Sequence, residues 1–322
     1  MPACSALGNL AQDGRGVPHD PRRAQALHRQ ACDGGAGIGC FNLGLMVQTG
    51  TWTERDPLVA DALFLRADAL YAASCDAGDL GWCLNRGVLH EDGFGVPKDE
   101  GKARQIYAAA CEKGHADSCV NLALMDYYGE GMPVDKVGPK VAIAPHCSDA
   151  TPLACGVLGQ MHLVDGNGTE AIPLLDRACT LGERDACGML GAVYGMGEVV
   201  PLDPMRASIL EERACLLGSS MACKIEASTA EDAARAATFF ERGCWIGDAE
   251  SCGNFGALLE TGQGVAADPV RALAMYDAGC RMADIGSCVA LLQKGKPLPL
   301  PPAEAAQLRE AACANGVPQA CP

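Results

Sequence analysis

Nineteen cysteines carry the reactive chemistry of this 322-residue chain, and their spacing decides what that chemistry is. Thiols ligate soft metals, exchange with a partner disulfide, or close a bridge within their own chain. Eighteen of them form nine C-x7-C pairs: Cys32/Cys40, Cys75/Cys83, Cys111/Cys119, Cys147/Cys155, Cys179/Cys187, Cys215/Cys223, Cys244/Cys252, Cys280/Cys288 and Cys313/Cys321. Cys4 is left over. No C-x2-C occurs, and His19, His28, His90, His115, His146 and His162 keep no ligand-like spacing to the cysteines, so a zinc site is disfavoured and no metal or cofactor is expected.

The elements that position these pairs repeat with them. Successive first cysteines lie 43, 36, 36, 32, 36, 29, 36 and 33 residues apart, a period near 36 that signals a helical solenoid. Alanine stands eight residues before the first cysteine in eight of nine units: Ala24, Ala67, Ala103, Ala171, Ala207, Ala236, Ala272 and Ala305. Four residues after the second cysteine stands Gly44, Gly87, Ala123, Gly159, Gly191, Ala227 or Gly256, and small residues at helical offsets let two helices approach closely. The stretches DGRGVPHDP, EDGFGVPKDE and TGQGVAADP supply a glycine turn and then a helix start. Asp20, Asp99, Asp203 and Asp268 are N-cap residues, with Pro21, Pro204 and Pro269 in the first helical turn, where a missing N–H costs nothing.

Each unit therefore reads as a two-helix hairpin. Between residues 83 and 119, helix A is predicted from Cys83 to His90 and helix B from Asp99 to Lys113. The first cysteine of a pair then lies near the end of a helix B and the second near the start of the next helix A, which brings the two side by side. A disulfide within each pair is the natural reading, worth about 2.6 kcal/mol in the chain-entropy picture. Buried free cysteine used for packing is the alternative, against which stands the completeness of all nine pairs.

Forty acidic against 25 basic residues give a formal charge of −15, which repels phosphate backbones and anionic lipid. Nucleic acid is excluded as a partner on that ground, and a basic protein surface is favoured. No apolar run approaches the roughly 18 residues of a membrane span.

Units such as CVNLALMDYYGEGMPVDK and CFNLGLMVQTG, with helix B in the form KARQIYAAACEKGHADSC, resemble the Sel1-like repeat family, and the C-x7-C pair in every unit resembles its Helicobacter cysteine-rich secreted members. The resemblance implies an all-α fold: a right-handed α/α superhelical solenoid of about nine antiparallel helix-pair repeats with one disulfide per repeat. It would form a single array over residues 1–322, with an incomplete first repeat and irregular units near 41–75, 133–147, 156–179 and 224–244. It also implies an adaptor that binds a protein or peptide on its concave face, in a secreted or periplasmic setting. Weak penicillin binding or β-lactamase-like hydrolysis is attributed to some cysteine-rich members, and a related mitochondrial intermembrane-space group of assembly factors keeps a second location open.

Several units depart from the pattern. CKIEASTAEDAARAATFFERGC is read as having lost the glycine turn and most of helix A. Pro139 and Pro145 interrupt the helix before Cys147. QTGTWTERDP enlarges one loop around Trp52.

An enzyme needs a nucleophile with its base, a metal site or a phosphate cradle. The chain holds no G-x-S-x-G, S-x-x-K, K-T-G or H-E-x-x-H, and its glycine-rich turns lack the Lys-Ser/Thr of a phosphate loop. The expected function is non-catalytic binding. Candidate partner-binding residues are Asn42, Asn85, Asn121 and Asn254, each two residues after a second cysteine, together with Trp52. The competing role for the asparagines is to hold adjacent helix pairs in register. Cys4, followed by Gly8 and DGRGVP at the usual offsets, matches the second cysteine of a pair whose first would lie upstream of Met1, so a longer precursor is expected.

Overall fold

A computed structural model describes residues 2–130 and 133–321. In chain order its helices are α1 (Pro2–Asp13), α2 (Pro21–Asp33), α3 (Gly37–Thr49), α4 (Pro57–Asp76), α5 (Leu80–Asp92), α6 (Glu100–Glu112), α7 (Ala116–Tyr128), α8 (Gly138–Ile143) and α9 (Pro152–Val164). They continue as α10 (Gly168–Thr180), α11 (Arg184–Met196), α12 (Pro204–Leu216), α13 (Ser220–Thr229), α14 (Ala233–Trp245), α15 (Ala249–Thr261), α16 (Pro269–Arg281), α17 (Ile285–Gln293) and α18 (Pro302–Ala314). The fold is all-α, built from antiparallel helix pairs such as α5/α6, α9/α10 and α15/α16. The helices gather into two compact units. One takes residues 35–37 and 61–217; the other is assembled from both ends of the chain, residues 1–34, 38–60 and 218–322.

Helix starts follow the predicted chemistry. The carboxylates of Asp20, Asp99, Asp203 and Asp268 accept from the backbone N–H of Arg23, Lys102, Arg206 and Arg271, and each aspartate holds an extended φ near −140°. In two of the G-x-G turns the two glycines do different work. Gly93 and Gly262 end α5 and α15 in the left-handed conformation, at φ 79° and 73°. Gly95 and Gly264 lie against the helix before: a Cβ on Gly95 would stand 2.8 Å from the Asp61 carbonyl oxygen, and one on Gly264 would collide with the Ala233 carbonyl.

Within a helix pair the contact is a large side chain on helix B set against a small residue on helix A. The large residue stands four places after the repeated alanine. Tyr107 faces Gly87, Leu175 faces Gly159, Tyr276 faces Gly256 and His28 faces Gly8, so closely that a Cβ on each glycine would fall within 3 Å of the ring or branch. The alanines themselves are buried: Ala24, Ala103, Ala171 and Ala272 have no exposed surface. Two of the tyrosines finish the contact with a hydrogen bond, Tyr107 to Glu91 Oε2 at 2.6 Å and Tyr276 to Glu260 Oε2 at 3.0 Å.

The cysteine pairs join these hairpins. Cys32–Cys40, Cys147–Cys155 and Cys244–Cys252 are bridged with Cα–Cα separations of 4.5 Å. Cys179–Cys187 follows at 4.6 Å, Cys111–Cys119 and Cys280–Cys288 at 4.7 Å, Cys75–Cys83 at 4.8 Å and Cys313–Cys321 at 4.9 Å. Cys215 and Cys223 are disulfide-bonded as well. Cys4 is free and half-buried. Between most pairs the chain reverses through a glycine with positive φ three residues after the first cysteine: Gly78, Gly114, Gly182, Gly218 and Gly247. At the same place in the Cys280 unit stands Ala283, held at φ 68°.

The second cysteines lie near the start of helix A, as the sequence reading places them, and one detail differs. In the specimen unit helix A runs longer than predicted, Leu80–Asp92, and places Cys83 fourth in α5. Cys119 in α7, Cys155 in α9, Cys187 in α11, Cys252 in α15 and Cys288 in α17 hold the same fourth position. In four of these helices the physical reason is the cap. Asp248 and Asp284 accept from the N–H of Ser251 and Ser287, Glu183 from that of Ala186 and His115 from that of Ser118, so α15, α17, α11 and α7 start a turn ahead of their cysteines; α5 and α9 start there without a side-chain cap.

The irregular units are resolved differently. Pro139 and Pro145 leave α8 only six residues long, followed by a 3-10 turn at Ala144–His146. The 29-residue unit corrects its sequence reading: α13 keeps ten residues of helix A, and the connection is what shrank. Asp232 caps α14 by accepting from Ala234 and Arg235 N–H, so helix B starts without a glycine turn.

Two measurements check this construction. Denatured without reductant, the chain should take up one equivalent of alkylating label, at Cys4, and 19 after reduction; a second equivalent before reduction would break the pairing. In urea melts Gly264→Ala should cost more than about 2 kcal/mol, because the new methyl meets backbone. Gly16→Ala, at φ 72° with nothing within 4 Å, should cost only the left-handed strain of about 1 kcal/mol.

Candidate functional site

The unit built from both chain ends carries an aromatic cluster with cavities beside it. Its centre is an aromatic clasp. His19, just ahead of α2, stacks on Trp245 at the end of α14, with ring centroids 4.8 Å apart and planes 9° apart. Trp52, from the enlarged loop after α3, meets the same imidazole edge-on at 5.0 Å. Gly14 makes room, since a Cβ there would stand 3.0 Å from the Trp245 ring. Trp52 is half-buried, has a left-handed φ of 57°, and packs on the apolar cluster of Phe255, Leu259, Met275 and Tyr276 from α15 and α16. The loop before it lies on the end of α16: a Cβ on Gly50 would reach 2.7 Å from the Arg281 carbonyl oxygen, and the Thr51 hydroxyl donates to Met282 Sδ at 3.4 Å.

Beside the clasp runs a series of adjoining cavities. The first, about 250 Å³, is walled by Asn9, Gln12, Asn42, Thr49, Thr51 and Ile246. The second, about 310 Å³, shares Thr49 and Gly247 with it and adds Gln48, Arg55, Arg281 and Ala283. The third, about 510 Å³, shares the two arginines and is closed by Glu54 and the segment from Leu298 to Pro302. Trp52 and Ala283, the two non-glycine residues with positive φ among the described residues, both belong to this region. Left-handed backbone at such residues persists where surrounding structure over-determines it.

Of the sequence candidates, Asn42 stands in the first cavity. Its Nδ2 donates to Ser5 Oγ at 3.2 Å and Asn9 Oδ1 at 2.9 Å, tying α3 to α1. Asn254 on α15 is half-buried and lines none of these cavities. Asn85 and Asn121 are half-buried on α5 and α7 in the other unit. Gln12, Gln48, Arg55 and Arg281 escaped the sequence reading because they keep no repeat period. The only signal near them was the inserted QTGTWTERDP, which carries Arg55 and Trp52.

Two histidines make this unit sensitive to acid. His28 has no exposed surface and hydrogen-bonds Ser5 Oγ through Nδ1 at 3.0 Å, while its Nε2 is buried without a partner. Burial pushes its pKa down to about 4. His19 donates from Nδ1 to the Gln12 carbonyl at 2.6 Å, and its Nε2 is likewise buried and unpartnered. Its pKa is lowered by burial first and by Arg271, against the opposing pull of the Gln12 bond and Asp20. With its folded pKa below the ordinary 6.5, His28 leaves stability whole above pH 6.5, and it is lost as pH falls from there toward 4, with His19 acting in the same direction. His28 alone accounts for on the order of 3 kcal/mol. His28→Tyr, which installs the residue used opposite glycine at Tyr107 and Tyr276, should flatten that dependence between pH 6.5 and 4; an unchanged slope in pH-dependent melts would exclude His28 as its source.

Comparison with known proteins follows this geometry. A sequence profile described as Sel1 repeat matches residues 2–35, 37–67, 83–115, 116–140, 184–219 and 249–284, more than half of the chain. Among solved structures, a Sel1 repeat protein from Oxalobacter formigenes superposes with a TM-score of 0.54 at 20% identity, covering 91% of this chain and 86% of that one. A protective antigen of uropathogenic Escherichia coli displaying an SLR fold does so with a TM-score of 0.50 at 19% identity, covering 98% and 77%. Helicobacter pylori cysteine rich protein B, 19% identical over 60% of this chain and 96% of its own, reaches a TM-score of 0.20, too loose to compare the two folds. No curated protein sequence matches the chain.

Proposed function

The chain belongs to the Sel1-repeat family, and on that premise we propose that it is a non-catalytic adaptor holding a protein or peptide partner against its stapled helices. Repeats of this type offer extended surfaces for protein interaction. The observation that carries the reading is the run of cavities beside the clasp, lined by the amides of Asn9, Gln12, Asn42 and Gln48 and by the hydroxyls of Thr49 and Thr51. Side-chain amides both donate and accept, as the backbone of a bound segment requires. Asn42 and Trp52 serve there, the first as wall and the second as the buttress behind it. Asn85, Asn121 and Asn254 lie outside these cavities and are proposed as secondary contacts only from their shared place two residues after a second cysteine.

Nine disulfides in one chain need an oxidising compartment to form and persist, which supports a secreted or periplasmic protein with a partner from the cell envelope or medium. The formal charge of −15 favours approach by partners with basic patches.

A photo-reactive residue placed at Gln48 tests this in the oxidised full-length chain. It should capture a discrete partner from envelope or medium fractions, whereas the same residue at Leu58, 81% exposed and outside the cavities, should not. Equal labelling from both positions, or none from Gln48, would count against the site.

A further inference from the structure

The two arginines shared by the second and third cavities add a ligand chemistry, and this step rests on the adaptor reading. Arg281 donates from Nε to Asp277 Oδ2 at 2.7 Å, one turn back on its own helix. Among the described residues no acceptor reaches either of its Nη atoms. Arg55 donates from Nε to the Gln48 carbonyl at 3.2 Å and from Nη1 to Glu304 Oε2 at 2.9 Å, leaving Nη2 open. Both side chains are half-buried, 30% and 27% exposed, where a guanidinium is only partly hydrated and a carboxylate gains more from it than in open water.

Glu304 shows what Arg55 accepts. It belongs to the first turn of α18, is 45% exposed, and reaches Arg55 across 249 residues of sequence. A carboxylate held so far out in solvent contributes little to stability. An incoming carboxylate that also engages the open Nη atoms of Arg281 makes more charge-assisted bonds than Glu304 does. Along the adjoining cavities the side chains of Gln12 and Gln48 have no hydrogen-bond partner among the described residues, so the amides needed for a backbone are free.

We propose that this run of cavities takes an extended peptide whose carboxylate, from an acidic side chain or from the chain end, seats on Arg55 and Arg281 in place of Glu304. Approach and seating answer to different charges. At physiological ionic strength the field of the acidic exterior is screened over about 8 Å, so the groups lining the cavity decide what is held.

The test measures binding of four dye-labelled peptides to the oxidised full-length chain at 0.15 M salt: hexaglutamate amide, hexaserine with a free carboxylate, hexaserine amide and hexalysine amide. One of the two carboxylate-bearing peptides should bind about tenfold more tightly than hexaserine amide, the size expected of one added charge-assisted bond. Which of the two does so identifies the side chain or the chain end as the source. Arg281→Gln should erase that preference. Glu304→Gln should strengthen binding threefold or more, a gain that a merely structural role for Glu304 would not produce; melting temperatures report whether either variant is folded. Equal affinity for all four peptides, a preference for hexalysine amide, or a carboxylate preference that survives Arg281→Gln overturns the proposal. The adaptor reading is judged separately, by capture through Gln48.

Discussion

A helix pair holds together when a large side chain of helix B can sit directly on a residue of helix A that has no side chain to displace it. Everything else in this chain is arranged around that contact. Tyr107 on Gly87 and Tyr276 on Gly256 bring the axes close enough for the alanine one turn earlier on helix B to be wholly buried. Between one pair and the next, the short turn leaves the end of helix B and the first turn of the following helix A within bridging distance, with Cα–Cα separations of 4.5 to 4.9 Å. The disulfide then ties successive hairpins together by limiting what the unfolded chain can do, which a repeat with few neighbours needs more than a globular core does.

The contact also explains where the repeats tolerate change. His28 occupies the position that tyrosine fills elsewhere, set against Gly8, and burial there lowers its pKa. Ala283 takes the place of glycine in a turn that needs positive φ, and it does so beside the cavities where Trp52 is held in the same region of backbone space. Strain is thus concentrated on the surface read as the binding site. The unit formed from both chain ends owes its clasp to stacking of His19 on Trp245 and the edge contact of Trp52, interactions that belong to single copies of the repeat.

Local physics made much of the fold legible in advance. N-cap aspartates, prolines in first turns and paired glycines each act within four or five residues, so their consequences for helix starts and stops could be read from DGRGVPHDP and its copies. The period of the alanines and glycines carried the pairing, because a helix face repeats with the sequence. The reading failed in CKIEASTAEDAARAATFFERGC, where a missing glycine turn suggested a missing helix. Asp232 could start α14 by itself, and α13 survived. It also set helix A of the specimen unit a turn too late, at Cys83 rather than Leu80, and took GHADS as turn although the cap at His115 lies inside it.

The sequence by itself therefore determined the repeat, most helix starts and the spacing that lets each cysteine meet its partner, because all of these depend on residues near one another along the chain. Only the tertiary structure decided which non-repeating residues meet. Arg55 and Glu304, or His19 and Trp245, are hundreds of positions apart, and nothing in their local sequence encodes the encounter. The cavities beside them arise from the packing of repeats that are distant in the chain, so their amides and guanidiniums come together only when both ends of the chain fold into one unit.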